Sequence, residues 1–174
     1  MVPTPAPTAA PIIVTALFGE RDFQFFDGLR RQYYPPERNV LPAHLTLFHH
    51  LPPSIEAELR QRLASEVRAP RPDARLAAPF SLGRGVALRI ESPPLEDIRA
   101  RLADAFGAIL SPQDAAPWRP HVTIQNKVAP HEAAALLRQF QPEFIARPVT
   151  ITGLASWWHR GGPWELLARY SFRG

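Results

Sequence analysis

Two histidine tripeptides stand in matching surroundings: His44-Leu45-Thr46 followed by Leu47-Phe48, and His121-Val122-Thr123 followed by Ile124-Gln125. Alternate side chains of an extended strand share a face. Strict alternation therefore puts His44, Thr46 and Phe48 on one side of the first segment and Leu45 and Leu47 on the other. The second segment divides the same way, with His121, Thr123 and Gln125 opposite Val122 and Ile124. Each strand buries aliphatic residues behind and presents an imidazole and a hydroxyl in front. Imidazole titrates near neutral pH, so a pair can hold one base and one acid. Threonine hydroxyls can donate to the non-bridging oxygens of a phosphoryl group, where charge is held in the transition state. If both strands face one cleft, His44 and His121 can move the two protons of a phosphodiester cleavage while Thr46 and Thr123 hold the phosphate. No metal or cofactor is required. The plain alternative is two unrelated half-buried histidines bonded to carbonyls, with threonines that merely suit strands. The repeated context argues against it.

Other side chains can extend such a site. Phe48 shares the parity of His44 and could stack on a base. Trp157, Trp158 and Arg160 cluster near the tip of a hairpin, where an indole could support a base and the guanidinium a phosphate. Lys127 shares the parity of His121 and Thr123 if that strand runs on, and Arg119 immediately precedes the Pro120-His121 step; either can meet an anion or simply face water. His49 and His50 invite a metal reading together with His44 and His121. Metal sites usually add a carboxylate or thiolate, and none is adjacent, so no metal site is expected.

The elements that must position these residues follow from hydropathy patterning. Residues 12–18 read as a buried strand, and 20–33 as a helix through Phe23, Phe26 and Leu29, ended by Pro35-Pro36. Residues 44–50 are a second strand closed by Pro52-Pro53, and Ser54 is expected to cap a helix reaching Val67. A hairpin follows, 75–82 and 85–90, around Gly83 to Gly85. Beyond Pro93-Pro94, residues 95–110 carry an apolar stripe of Leu95, Ile98, Leu102, Ala105, Phe106 and Ile109. Pro120 leads into a strand over 121–127, Pro130 opens a short helix to Phe140, and 149–158 with 164–172 close a hairpin around Gly161-Gly162. Each half thus reaches its His-x-Thr at a similar interval after its opening strand, from Ile12 to His44 and from Val86 to His121, which suggests an internal duplication.

The chain has 174 residues, no cysteine and a formal charge of +4. That length suits one domain, expected over 12–174 with a disordered Pro/Ala/Thr-rich tail over 1–11. The tail lacks the charged and apolar regions of a secretory signal. Absence of cysteine excludes disulfides and fits a reducing cytoplasm. No apolar run approaches a membrane span, and no obligate protein partner is evident. The basic excess could attract a phosphate polymer. Lys127 is the only lysine, however, and an Arg, Ala and Pro bias can also arise from GC-rich coding.

The phrases His44-Leu45-Thr46-Leu47-Phe48 and Arg119-Pro120-His121-Val122-Thr123-Ile124 resemble the two signatures of the two-histidine phosphoesterases, the superfamily of the bacterial 2′-5′ RNA ligase-like proteins and cyclic phosphodiesterases. The resemblance spans about Ile12 to Phe172. It implies an α+β fold, two-lobed and pseudo-symmetric, with antiparallel sheets lining a central cleft and helices outside. It also implies RNA ends or nucleotides as substrates, opened at a 2′,3′-cyclic phosphate or joined through a 2′-5′ bond. His44 would be the acid that protonates the leaving oxygen and His121 the base that activates water. The sequence departs from the commoner pattern at His49-His50 and at Gln125-Asn126-Lys127. Two other functions fit the same residues: a nucleotide- or RNA-binding module that does no chemistry, and a phosphodiesterase for a cyclic phosphate that is not RNA.

Overall fold

A computed structural model describes residues 9–174. Its elements run β1 (Ile12–Phe18), α1 (Glu20–Tyr33), β2 (Leu45–Leu51), α2 (Glu56–Glu66), β3 (Asp73–Ser81), β4 (Val86–Glu91), α3 (Pro93–Phe106), α4 (Pro112–Ala115), β5 (His121–Gln125), α5 (Pro130–Phe140), β6 (Arg147–Trp158) and β7 (Glu165–Ser171). The tail expected over 1–11 lies mostly outside the described residues. Its last part is packed: Ala10 is buried, and Pro11 O accepts the His159 N–H at 3.0 Å.

Local chemistry explains most boundaries. In α1, Glu20 and Asp22 sit in the first turn and Arg30 and Arg31 in the last, which complements the helix dipole. The α3 cap is Ser92, whose Oγ accepts the Leu95 N–H at 3.4 Å and donates to Asp73 O at 2.6 Å, with Pro93 in the first turn. Ser54 does not cap α2 as expected. Pro52-Pro53 locks a 3-10 turn over Pro53–Ile55 that contains Ser54, and the helix starts after it without a side-chain cap. Ile109 also leaves its expected stripe. The chain tightens into a 3-10 turn at Gly107–Ile109, and Ile109 is 43% exposed.

Seven strands form one antiparallel sheet, in the order β2-β1-β6-β3-β4-β5 with β7 also on β6. The long strand β6 joins the two halves: Arg147 to Thr150 pair with β3, and Ile151 to Trp158 pair with β1. The two edge strands of that order, β2 and β5, carry the two histidine motifs, and they come into contact with each other. The sheet therefore rolls until its ends meet, which places both motifs along one seam. Between sheet and helices lies a continuous core that includes Phe26, Leu45, Leu47, Phe48, Leu63, Leu95, Leu102, Val122 and Ile124.

Both motif strands contain a bulge immediately after their threonine. On β2, Thr46 pairs with Thr15 and Phe48 with Val14, so Leu47 is an extra residue. On β5, Thr123 pairs with Ala87 and Gln125 with Val86, so Ile124 is extra. An extra residue inverts the side-chain alternation beyond it. Phe48 and Gln125 are turned into the interior for this reason, at 0% and 7% exposure.

Candidate active site

His44, Thr46, His121 and Thr123 line one cleft of about 270 Å³ between the two edge strands. The imidazoles are held alike. His44 Nδ1 lies 2.8 Å from Pro42 O, and His121 Nδ1 lies 2.6 Å from Arg119 O. A carbonyl only accepts, so each neutral ring carries its proton on Nδ1 and keeps the Nε2 lone pair free. The Pro-x-His and Arg-Pro-His turns ahead of the strands fix this geometry through the carbonyl two residues back.

Donors from elsewhere satisfy the strand carbonyls along the seam. Arg30 of α1 reaches across to Thr123 O at 3.0 Å while its Nε bonds Asn39 Oδ1 and Leu41 O. Trp118 Nε1 donates to Thr46 O at 3.0 Å, and Arg99 of α3 donates to Leu47 O at 3.1 Å. Arg30 and Arg99 are both buried, and desolvation lowers the pKa of each guanidinium. These side chains seal exposed strand edges and hold the motifs at a fixed separation.

Burial also moves the imidazoles. Desolvation pushes His44 down to about 4; its bond to Pro42 O opposes the shift, and the charges of Arg30, His49 and His121 add to it. His121 is lowered mainly by burial, against its bond to Arg119 O and with help from His49 and Arg119. At neutral pH both rings are therefore neutral in the free protein, with Nδ1 held by a carbonyl and Nε2 left as the basic atom. A phosphate between them favours protonation of a ring and so supplies the acid.

The secondary candidates divide. Arg119 lines the cleft, with its guanidinium 4.9 Å over the Phe80 ring. Trp157 lies in an adjoining pocket of about 470 Å³ that shares His44 with the cleft, and its Nε1 donates to Thr15 Oγ1 at 2.9 Å. Phe48 is not on the site face; the bulge at Leu47 puts it in the core beneath the Arg99 guanidinium, 4.3 Å away. Lys127 is not on the cleft strand either. β5 ends at Gln125, and Lys127 takes a left-handed φ of 62°. Trp158 and Arg160 line neither cavity. Arg160 lies 5.4 Å over the Trp158 ring and pairs with Glu165 at 2.8 Å.

Sequence reasoning missed several contributors besides the buried donors Arg30, Arg99 and Trp118. Trp164 lines both cavities and covers His44, the ring centroids 4.7 Å apart. Its place just after Gly161-Gly162-Pro163, on the hairpin that carries Trp157, was the available signal. His49 occupies the cleft wall where alternation expects Phe48, and its Nδ1 lies 3.2 Å from Asp114 Oδ1. The buried Asp114 carboxylate also accepts the His49 and His50 N–H groups at 2.8 and 2.9 Å. Burial raises the Asp114 pKa, but these hydrogen bonds outweigh it and leave the group below the usual carboxylate range. Asp114 is thus the carboxylate near His49 that the sequence did not reveal. Among the described residues, no three His, Asp or Glu side chains group closely enough to hold a metal ion, and no helix is long and apolar enough to cross a membrane.

A rolled antiparallel sheet with its two His-x-Thr edge strands on one cleft is the architecture of the two-histidine phosphoesterases. Residues 18–163 match the family model described as the 2′-5′ RNA ligase superfamily, and the chain belongs to that superfamily. Solved structures share the fold. The protein TT0787 of Thermus thermophilus has a TM-score of 0.62 at 16% identity, over 94% of this chain and 98% of that one. E. coli LigT complexed with 3′-AMP has a TM-score of 0.63 at 16% identity, over 95% and 99%. E. coli LigT complexed with ATP has a TM-score of 0.62 at 20% identity, over 95% and 99%. No curated protein matches the chain by sequence.

Proposed function

We propose that this protein hydrolyses 2′,3′-cyclic phosphates on RNA ends or small nucleotides by two-histidine acid–base catalysis, without a metal ion. The observation that supports it most is the shared posture of His44 and His121, each with Nδ1 tied to a carbonyl in a cleft that also holds Thr46 and Thr123. Water attacks phosphorus and gives its proton to Nε2 of one imidazole. The bond from phosphorus to one ribose oxygen breaks, and that oxygen takes a proton from the other imidazole. The products are a phosphomonoester and a free hydroxyl, and the two rings have exchanged protonation states. The family resemblance makes His44 the acid and His121 the base. Thr46, Thr123 and Arg119 hold the phosphoryl oxygens.

The nucleoside belongs in the larger pocket beside His44, where Trp157 and Trp164 offer aromatic faces and Glu20 and Gln24 polar groups for a base edge. Its volume of about 470 Å³ lies in the usual range for small-ligand sites. An RNA 5′-hydroxyl in the place of water would form a 2′-5′ bond by the same proton transfers, and the abundance of water favours hydrolysis.

The test is incubation of the wild type, His44→Ala and His121→Ala with 2′,3′-cyclic nucleotides and a cyclic-phosphate-ended oligonucleotide, in the presence of a chelator. The wild type should form monoester product, and each variant should lose on the order of 10²–10⁴ in rate. Product formation that survives either substitution sinks the two-histidine mechanism. Activity abolished by the chelator sinks its metal independence.

A further inference from the structure

The loop that leads toward His44 and the strand that leaves Thr123 run to the same place. Arg38, in the 3-10 turn Pro36–Arg38, meets Arg84 of the β3–β4 turn and Asn126 and Lys127 beyond β5. Together they line a hollow of about 210 Å³ in which three of the side chains are cations and none is an acid. Arg38, Arg84 and Lys127 are all exposed, and none joins an ion pair among the described residues. Elsewhere several surface arginines are paired, Arg60 with Glu56, Arg62 with Glu58 and Arg101 with Glu66. Glu37 and Glu132 are near in sequence, yet neither lines the hollow.

Backbone contacts fix the cations in place. Arg84 Nε donates to Val128 O at 3.2 Å, and the Val128 N–H returns to Arg84 O at 3.1 Å. A Cβ on Gly85 would sit 1.9 Å from Gln125 O, so only glycine lets the two turns approach this closely. The left-handed Lys127 turns the chain out of the strand, with its N–H bonded to Asn126 Oδ1 at 2.8 Å. On the other side, Arg30 binds both Asn39, next to Arg38, and Thr123 O, which couples the Arg38 loop to the catalytic strand.

We propose that this hollow is an anion site for an internucleotide phosphate of an RNA strand whose cyclic end lies in the cleft. The protein then favours a strand over a mononucleotide, while the cleft itself still accepts either. The inference rests on the hydrolase reading above and deepens it. Asn126 lies three residues beyond Thr123, a reach of at most about 10 Å even for a fully extended chain at ~3.3 Å per residue, close enough for one strand to span both sites. Converging cations with no acidic side chain among them repel one another, and a phosphate between them removes that repulsion.

The experiment compares kcat/KM for 2′,3′-cyclic AMP and for a cyclic-phosphate-ended RNA oligomer at several salt concentrations. Wild type is set against Arg38→Gln/Lys127→Gln and Arg38→Glu/Lys127→Glu; Arg84 is left intact because its guanidinium braces the backbone. The glutamate pair should lose roughly 10- to 100-fold on the oligomer, through KM. Its log–log salt dependence should flatten by about 0.7 for each phosphate that is no longer neutralised. Cyclic AMP turnover should stay within about twofold, with the glutamine pair falling between wild type and the glutamate pair on the oligomer. Equal losses on both substrates, or no loss on either, overturn the inference while leaving hydrolysis intact. If wild type cleaves neither substrate, the hydrolase reading fails on its own. Fluorescence anisotropy with a 3′-phosphorylated RNA then decides the hollow: weaker binding by the glutamate pair supports it, and equal binding overturns it.

Discussion

The two motif strands are alike in three respects and differ in two. Each anchors its histidine Nδ1 on the carbonyl two residues back, each bulges just after its threonine, and each offers that threonine carbonyl to a distant donor, Trp118 or Arg30. They differ in what covers the imidazole and in how far the strand continues. His44 lies under Trp164 beside the larger pocket, whereas His121 meets the edge of Phe80 at 5.7 Å. β2 continues to His49 and its Asp114 partner, whereas β5 stops and turns away at Lys127. The proposed phosphate chemistry thus rests on what the halves share, and the proposed substrate orientation on what they do not.

The largest expected effect tests the shared part. If the imidazoles act as one unit, His44→Ala/His121→Ala should lose little more than either single variant, because a missing acid and a missing base disable the same step. Single-turnover rates on a cyclic nucleotide check this. Losses that multiply would mean that the two rings act independently, and the parallel between the halves would then be structural only.

The cross-lobe donors come next. Arg30→Met and Arg99→Met each keep an apolar stem of similar length and strand buried carbonyls without a partner. Each should cost about 2–4 kcal/mol in urea unfolding. The Arg30 variant should be the worse, since Arg30 serves Asn39, Leu41 and Thr123 while Arg99 serves Leu47 and Asp114. A change below about 0.5 kcal/mol in either would show that the seam does not need these donors.

Much of this is legible in the sequence because hydropathy patterning reports which residues face a core. Helix α1, the α3 stripe from Leu95 to Phe106 and both motif strands follow from it. Bulges are not legible this way. Leu47 and Ile124 look like ordinary alternating residues, and only register against β1 and β4 shows them to be extra. Strict alternation misplaces Phe48 for that reason and leaves His49 without its role. Arg30, Arg99 and Asp114 escape notice because a buried ion looks like a surface one until its partners, distant in sequence, are known. Trp164 is the reverse case, expected as the first residue of the last strand; it stands just before β7, and only the folded hairpin shows it over His44.

A smaller effect probes the asymmetric end of β2. Asp114→Asn keeps the shape but removes the charge that accepts from His49 and two backbone N–H groups. It should cost about 1–3 kcal/mol at neutral pH. Its folded pKa is depressed, so the contribution of Asp114 is present above its unfolded value and is lost as pH falls through the folded one. The gap between wild type and variant should therefore close in acid. A gap that stays constant from neutral pH to about pH 2 would show that the charge is not what stabilises the turn.

The smallest effect separates the two imidazoles themselves. His44 titrates near 4 when folded and near 6.5 when unfolded, so between those values the unfolded chain binds a proton that the folded chain does not. Stability from this group is complete above about pH 6.5 and falls progressively as pH drops toward 4. The His121 shift has the same sign. Thermal unfolding of wild type, His44→Gln and His121→Gln from about pH 7 to about pH 4.5 should show the steepest acid loss in wild type and a shallower one in each variant. Inorganic phosphate should flatten the wild-type curve, because an anion between the rings favours their protonated forms and brings the folded pKa values back toward the unfolded ones. If all three proteins lose stability in parallel and phosphate changes none of them, the rings do not share an anion-binding cleft. Flattening that survives His121→Gln but not His44→Gln would place the anion nearer the ring under Trp164.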